Sequence, residues 1–210
     1  RRKKLITETL NDSNINIVKS QELKDKITAL GVDSNKTFVI HNGVDQTKFY
    51  PRGIDETRIK LGLEVDKKYA LFVGNFQIEK GLTHLIEAFA LIKQHNISLL
   101  VVGSGPMQVQ MEELVEQREL QEHIIFLGRK QHDEIPDYLA CADILCLPSL
   151  REGCPNVVLE SLSCGTPVVA SRVGAVPDIL RKPEFGVMVA PQQPKELAEA
   201  IIQGLSIDKQ

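Results

Sequence analysis

The segment Arg151-Glu152-Gly153-Cys154-Pro155-Asn156-Val157-Val158-Leu159-Glu160 concentrates groups able to do chemistry. Pro155 interrupts regular structure and Asn156 is a residue type that caps helices, so a helix is expected to start there. The backbone N–H groups near Asn156 to Val158 would then point outward, unpaired, with the positive helix end behind them. Such a terminus binds phosphate without a side-chain cation. Glu152 stands before that helix and Glu160 one turn inside it. Carboxylates accept hydrogen bonds from vicinal hydroxyls. An anion site between two of them therefore suits a molecule with phosphates in the middle and sugars at both ends. On this segment alone, a capped helix with two surface glutamates explains the pattern equally well.

A second loop, Gly74-Asn75-Phe76-Gln77-Ile78-Glu79-Lys80-Gly81, follows an apolar run and opens a helical one. Gly74 and Gly81 permit close backbone approach, and Lys80 is able to place an ammonium on a phosphate. The competing reading is a glycine-punctuated turn with an exposed lysine. A third loop, Gly103-Ser104-Gly105-Pro106, fails as a dinucleotide fingerprint because Gln108 stands where the third glycine belongs, and it reads as a tight turn into a helix. The histidines His41, His84, His95, His123 and His132 have no carboxylate or nucleophile at motif spacing and read as surface or turn residues. Cys141, Cys146, Cys154 and Cys164 match neither a disulfide framework nor a zinc site.

These loops need elements to hold them. Apolar runs at Tyr69–Val73, Ile97–Val102, Ile124–Leu127, Ile144–Leu147, Pro167–Ala170 and Val187–Val189 read as strands. Helical patterns over Gly81–Gln94, Met107–Leu120, Ile135–Cys141, Val157–Ser163 and Pro177–Leu180, and from Pro194 onward, fall between and after them. Continuously apolar strands are buried on both faces, and strands separated by helices form a parallel sheet. The expected class is α/β, a doubly wound Rossmann-like layer with its ligand beyond the carboxyl ends of the strands. The first 35 residues hold a basic helical stretch, a strand at Ile15–Val18 and a helix over Gln21–Leu30. They read as the tail of a preceding domain, and Thr37–Ile40 reads as the start of a new βα series.

Hydrophobic residues make up 42% and charged residues 25% of the 210, with a formal net charge of -3. This is ordinary for a globular protein and gives no general reason to expect nucleic acid or anionic membrane as a partner. The basic opening Arg1-Arg2-Lys3-Lys4 reads as a solvated helix end. No stretch approaches the ~18 apolar residues of a spanning helix. With unpaired cysteines, the chain reads as cytosolic.

The chain resembles the family 4 glycosyltransferases, and within them the C-terminal half of the two-domain GT-B fold. The resemblance runs from His41-Asn42-Gly43-Val44-Asp45 and Phe49-Tyr50-Pro51, through the lysine loop and the Glu152/Glu160 pair, to Gly174-Ala175-Val176-Pro177-Asp178. It implies a donor-binding domain over 36–210, lacking the final crossover helix, preceded by a remnant of the acceptor domain over 1–35. It further implies retaining transfer of a sugar from a nucleoside-diphosphate sugar, with no cofactor or metal, to an acceptor glycan or lipid-linked sugar. Catalytic roles would fall to Glu152, holding donor-sugar hydroxyls, and to Lys80, neutralising the departing diphosphate. Gly74, Gly153, Cys154, Pro155 and Asn156 would line the donor, and the amides near Val157 and Val158 would meet the diphosphate. Glu160 would accept from the ribose, and the backbone near Arg129 and Lys130 would meet the base.

Asn75 departs from the family, which often carries arginine there, so Lys80 and the helix terminus must supply more of the charge compensation. The setting implied is polysaccharide or glycolipid synthesis, at the inner face of the cell membrane if the full-length protein associates with it. The chain alone is expected to be inactive. The competing class is a non-catalytic nucleotide-sugar-binding module, which Asn75 favours; a Rossmann oxidoreductase is disfavoured by the failed glycine fingerprint.

Overall fold

The computed structural model describes residues 2–207 and 209, so Arg1 of the basic opening lies outside the described residues. Its centre is a parallel sheet of β3 (Lys68–Val73), β4 (Ile97–Val102), β5 (Ile124–Gly128), β6 (Ile144–Leu147), β7 (Val168–Ser171) and β8 (Gly186–Val189), ordered β5-β4-β3-β6-β7-β8. All five neighbouring pairs run parallel. The chain winds outward from β3 to β5, then returns past β3 to lay β6 on its other side. That reversal makes the β3/β6 boundary a topological switch point.

The strands are apolar on both faces because both faces are covered. Tyr69 and Leu71 of β3 pack with β6 and with α6 (Ile135–Cys141) and α7 (Asn156–Ser163), while Ala70 and Phe72 pack on the opposite layer. That opposite layer holds α4 (Leu82–Leu91), α5 (Gln108–Gln117) and α9 (Pro194–Gly204). In α4, Leu82, Leu85, Ile86 and Phe89 recur at helical spacing and are all buried. Burying a side chain such as Phe89 contributes about 2–3 kcal/mol. The short helices α3 (Ile54–Lys60) and α8 (Val176–Ile179) complete the first layer. Cys141, Cys146 and Cys164 are buried free thiols, and desolvation pushes Cys141 up to about 12. Among the described residues no helix is long and apolar enough to cross a membrane.

The N-terminal segment corrects one expectation. Strand β2 (Thr37–Val39) does not open the main βα series. It pairs in parallel with β1 (Asn16–Val18) in a separate two-stranded sheet. Helices α1 (Arg2–Asp12) and α2 (Gln21–Thr28) accompany it, and Val18, Ile27 and Val32 form its own small cluster. A strand of three residues carries no signal for which strand it will join.

Candidate functional site

At the switch point two loops interlock. The β3–α4 loop ends in a single 3-10 turn, Ile78–Lys80, followed by Gly81 in the left-handed region at φ 66°. A Cβ on Gly81 would lie 2.1 Å from the carbonyl oxygen of Pro148, so only glycine lets the turn rest on the exit of β6. The amide of Leu150 donates to the carbonyl of Glu79 at 2.8 Å and closes the junction. Lys80 is thereby delivered to Glu152, with Nζ 2.7 Å from Oε1. The fully buried Ser149 donates its hydroxyl to the same oxygen at 2.7 Å. Oε2 of Glu152 makes no hydrogen bond with a described residue and is available to a ligand. The side chains are 30% and 9% exposed respectively, so the pair is largely sheltered from water but open on one side.

Helix α7 begins on the next stretch of chain. Asn156 does not cap it, contrary to the sequence expectation. Pro155 is the flanking residue, at φ -74° and ψ 105°, and Asn156 is already the first helical residue. Its side-chain oxygen accepts instead from Nδ2 of Asn42 at 2.6 Å. The terminus is consequently uncapped. The amides of Asn156 and Val157 have no acceptor among the described residues, whereas that of Val158 turns back to the Pro155 carbonyl at 3.1 Å. Two unengaged amides, rather than three, stand at the start of α7, a few residues beyond Glu152.

Glu160 lies further along α7, 15% exposed, with His132 Nε2 3.6 Å from its carboxylate. Burial pushes its pKa up, and the attraction and hydrogen bonding of His132 pull partly against that shift. His132 is itself set edge-on against the buried Phe49, ring centroids 5.4 Å apart. Arg129 is exposed at the end of β5, and Lys130 has its ammonium 5.5 Å over the Tyr138 ring. Their backbone groups make no hydrogen bond with another described residue. Lys80, Glu152, the α7 terminus and Glu160 thus share the carboxyl edge of β3 and β6. Asn75 is exposed on the same loop as Lys80, and Gly74 and Gly153 border it with no positive φ. Cys154 is part-buried.

Residues 53–210 match the model of the family described as glycosyl transferases group 1. The chain belongs to that family. It is 32% identical over 196 residues to an uncharacterised glycosyltransferase of Methanocaldococcus jannaschii, covering 90% of this chain and 50% of that protein. Among solved structures it resembles the sucrose-phosphate synthase of Thermosynechococcus elongatus, with a TM-score of 0.86, 30% identity, and coverage of 98% of this chain and 52% of that one. It also shares its fold with Anabaena HepE, solved in complex with UDP, at TM-score 0.86 and 24% identity over 96% of this chain and 57% of that one. The fold is accordingly the Rossmann-like C-terminal domain of a GT-B glycosyltransferase. The chain spans about half the length of the relatives it matches.

Several groups around these residues were not singled out in the sequence. Ser149 anchors Glu152 but lies just outside the Arg151–Glu160 segment, at the exit of an apolar strand. His132 reaches Glu160 although 28 positions separate them, a proximity that spacing alone does not disclose. The Gly103 loop, read as a turn, also buttresses the lysine loop: a Cβ on Gly103 would fall 1.9 Å from the Gly74 carbonyl, and Phe76 N–H donates to Ser104 at 3.0 Å. A cleft of about 890 Å³ opens beside Glu152 and Gly153, walled on its other side by Ser20, Glu22 and Lys26 of the α2 region.

Proposed function

We propose that this chain is the donor half of a retaining, family 4 hexosyltransferase acting on a nucleoside-diphosphate sugar. The observation that carries this is the convergence of Lys80, Glu152 and the two free α7 amides at the switch point, with Glu160 beyond them on the same helix. A diphosphate seated on the α7 terminus meets the positive end of the helix dipole and the Lys80 ammonium. Without ligand, Lys80 is neutralised by Glu152; a diphosphate takes over the ammonium while Glu152 turns to the sugar hydroxyls through its unengaged oxygen. Glu160 accepts from the ribose, and only its ionised form offers both oxygens purely as acceptors. As the glycosidic bond breaks, negative charge grows on the departing diphosphate, and Lys80 with the α7 amides stabilises it without a metal. The acceptor is a hydroxyl of a glycan or lipid-linked sugar, bound by the other half of a longer protein at or near the inner membrane face. This chain alone binds donor without turnover.

Calorimetric titration with UDP, GDP, ADP and their sugar conjugates tests the reading. One nucleotide should bind saturably, and Lys80→Ala and Glu160→Ala should each weaken it by about tenfold to a hundredfold, the worth of a hydrogen bond to a charged group. A folded chain that binds none of them, or variants that bind unchanged, would contradict it. A binding module without chemistry is the second reading, favoured by the uncharged Asn75 at the rim; it predicts donor binding with no transfer even when the partner half is present.

A further inference from the structure

Two hydrogen bonds tie α2 to the stretch after β7, one to helix α8 and one to the loop before it, and each joins a carboxylate of one side to a backbone amide of the other. The amide of Gln21, first residue of α2, donates to Asp178 Oδ2 at 2.7 Å. The amide of Gly174 donates to Glu22 Oε2 at 2.5 Å. The other oxygen of Glu22 is held by Lys26 one turn further along α2. Amides at a helix start attract carboxylates, and charge-assisted bonds of this kind are about twice as strong as neutral ones.

What Glu22 holds is itself part of the donor site's support. Gly174 has φ 57°, and a Cβ there would lie 2.5 Å from the carbonyl of Glu152 and 2.6 Å from that of Gly153. The next amide, of Ala175, donates to the Gly153 carbonyl at 2.8 Å. The backbone carrying Glu152 therefore lies directly on the residue that Glu22 fixes, and both border the same cleft.

We propose that Glu22 is a positioning residue for the sugar end of the donor site. It fixes Gly174, and Gly174 sets the height and orientation of the Glu152–Gly153 backbone against which the donor sugar rests. The inference relies on the donor-site reading given above. The nucleotide end is anchored differently, through the α7 amides and Glu160, so loss of Glu22 separates the two ends of the ligand.

Calorimetry with UDP, GDP and ADP and with their glucose and N-acetylglucosamine conjugates distinguishes these ends. Glu22→Ala should weaken the sugar conjugate that binds by roughly tenfold, while the matching free diphosphate stays within about twofold. Glu22→Gln keeps an acceptor oxygen for the Gly174 amide and should recover most of the affinity. Equal losses for the two ligands, no loss for either, or no recovery by glutamine would overturn the proposal. No binding of any ligand by the unaltered, folded chain would remove the donor site itself and the role of Glu22 with it.

Discussion

Glu160 is held in α7 with most of its carboxylate out of water, and burial raises its pKa above the ordinary 4.5 despite the nearby His132. A carboxyl with a raised pKa in the folded state favours folding when protonated. That contribution is fully present below the unfolded value and is lost as pH rises through the folded one. At neutral pH the ionised form therefore works against stability, while only the ionised form is a pure acceptor for ribose hydroxyls. Glu160→Gln should unfold at a higher temperature than the unaltered protein at pH 7, with the gap narrowing as pH falls toward 4, and should bind nucleotide more weakly. Thermal unfolding at the two pH values checks the first part and calorimetry the second. A variant that is less stable at pH 7 would show that the pairing with His132 outweighs desolvation. The glutamate was legible from its seven-residue separation from Glu152, but its cost was not, because burial and the approach of His132 arise only on folding.

At the scale of elements, the site depends on a 3-10 turn pressed onto the end of β6. Gly81→Ala places a side chain in the left-handed region and 2.1 Å from the Pro148 carbonyl. The backbone penalty alone is about 1–2 kcal/mol, and relieving the clash adds to it. A loss of about 2–4 kcal/mol is expected, lowering the melting temperature by several degrees in a chain of this size, together with weaker nucleotide binding as Lys80 is displaced. Gly153→Ala serves as the comparison, since a Cβ there meets nothing within 4 Å; its stability should change by less than about 0.5 kcal/mol. Differential scanning calorimetry on both variants reads the contrast. The strands and helices flanking this turn were legible because buried strands are continuously apolar and helices repeat at 3.6 residues. The start of α7 was misplaced by one residue. Pro155 already takes the flanking position, and the side chain of Asn156 is drawn to Asn42, 114 positions away, rather than to its own helix.

Across the whole molecule, the end of the sheet opposite the site is secured by a buried charge network. Arg58 of α3 donates to the carbonyls of Cys141 and Val65 and pairs with Asp143 at 2.7 Å, the two side chains being 5% and 10% exposed. Asp143 also accepts from the Tyr69 amide at the start of β3. Arg58→Ala leaves Asp143 with Lys68 Nζ at 3.0 Å and the Tyr69 amide but takes the donors from the Cys141 and Val65 carbonyls, so it should cost about 2–4 kcal/mol. Because the pair lies at the amino ends of β3 and β6, nucleotide affinity of the folded variant should be unchanged. Chemical denaturation and calorimetry test the two halves of this expectation; a loss of affinity comparable to that of Lys80→Ala would mean the ends of the sheet are coupled.

By itself the sequence determined the α/β class, the positions of the buried strands and the presence of a helix start between two glutamates. Those properties follow from local periodicity, from turn residues and from short spacings that survive in any fold containing them. Only the tertiary structure decided that Lys80 faces Glu152, that Ser149 and His132 attend the two glutamates, that β2 joins β1, and that Glu22 reaches Gly174. Each of these is a contact between groups from 3 to 152 positions apart whose formation is governed by packing geometry, and geometry of that kind leaves no periodic trace in the chain.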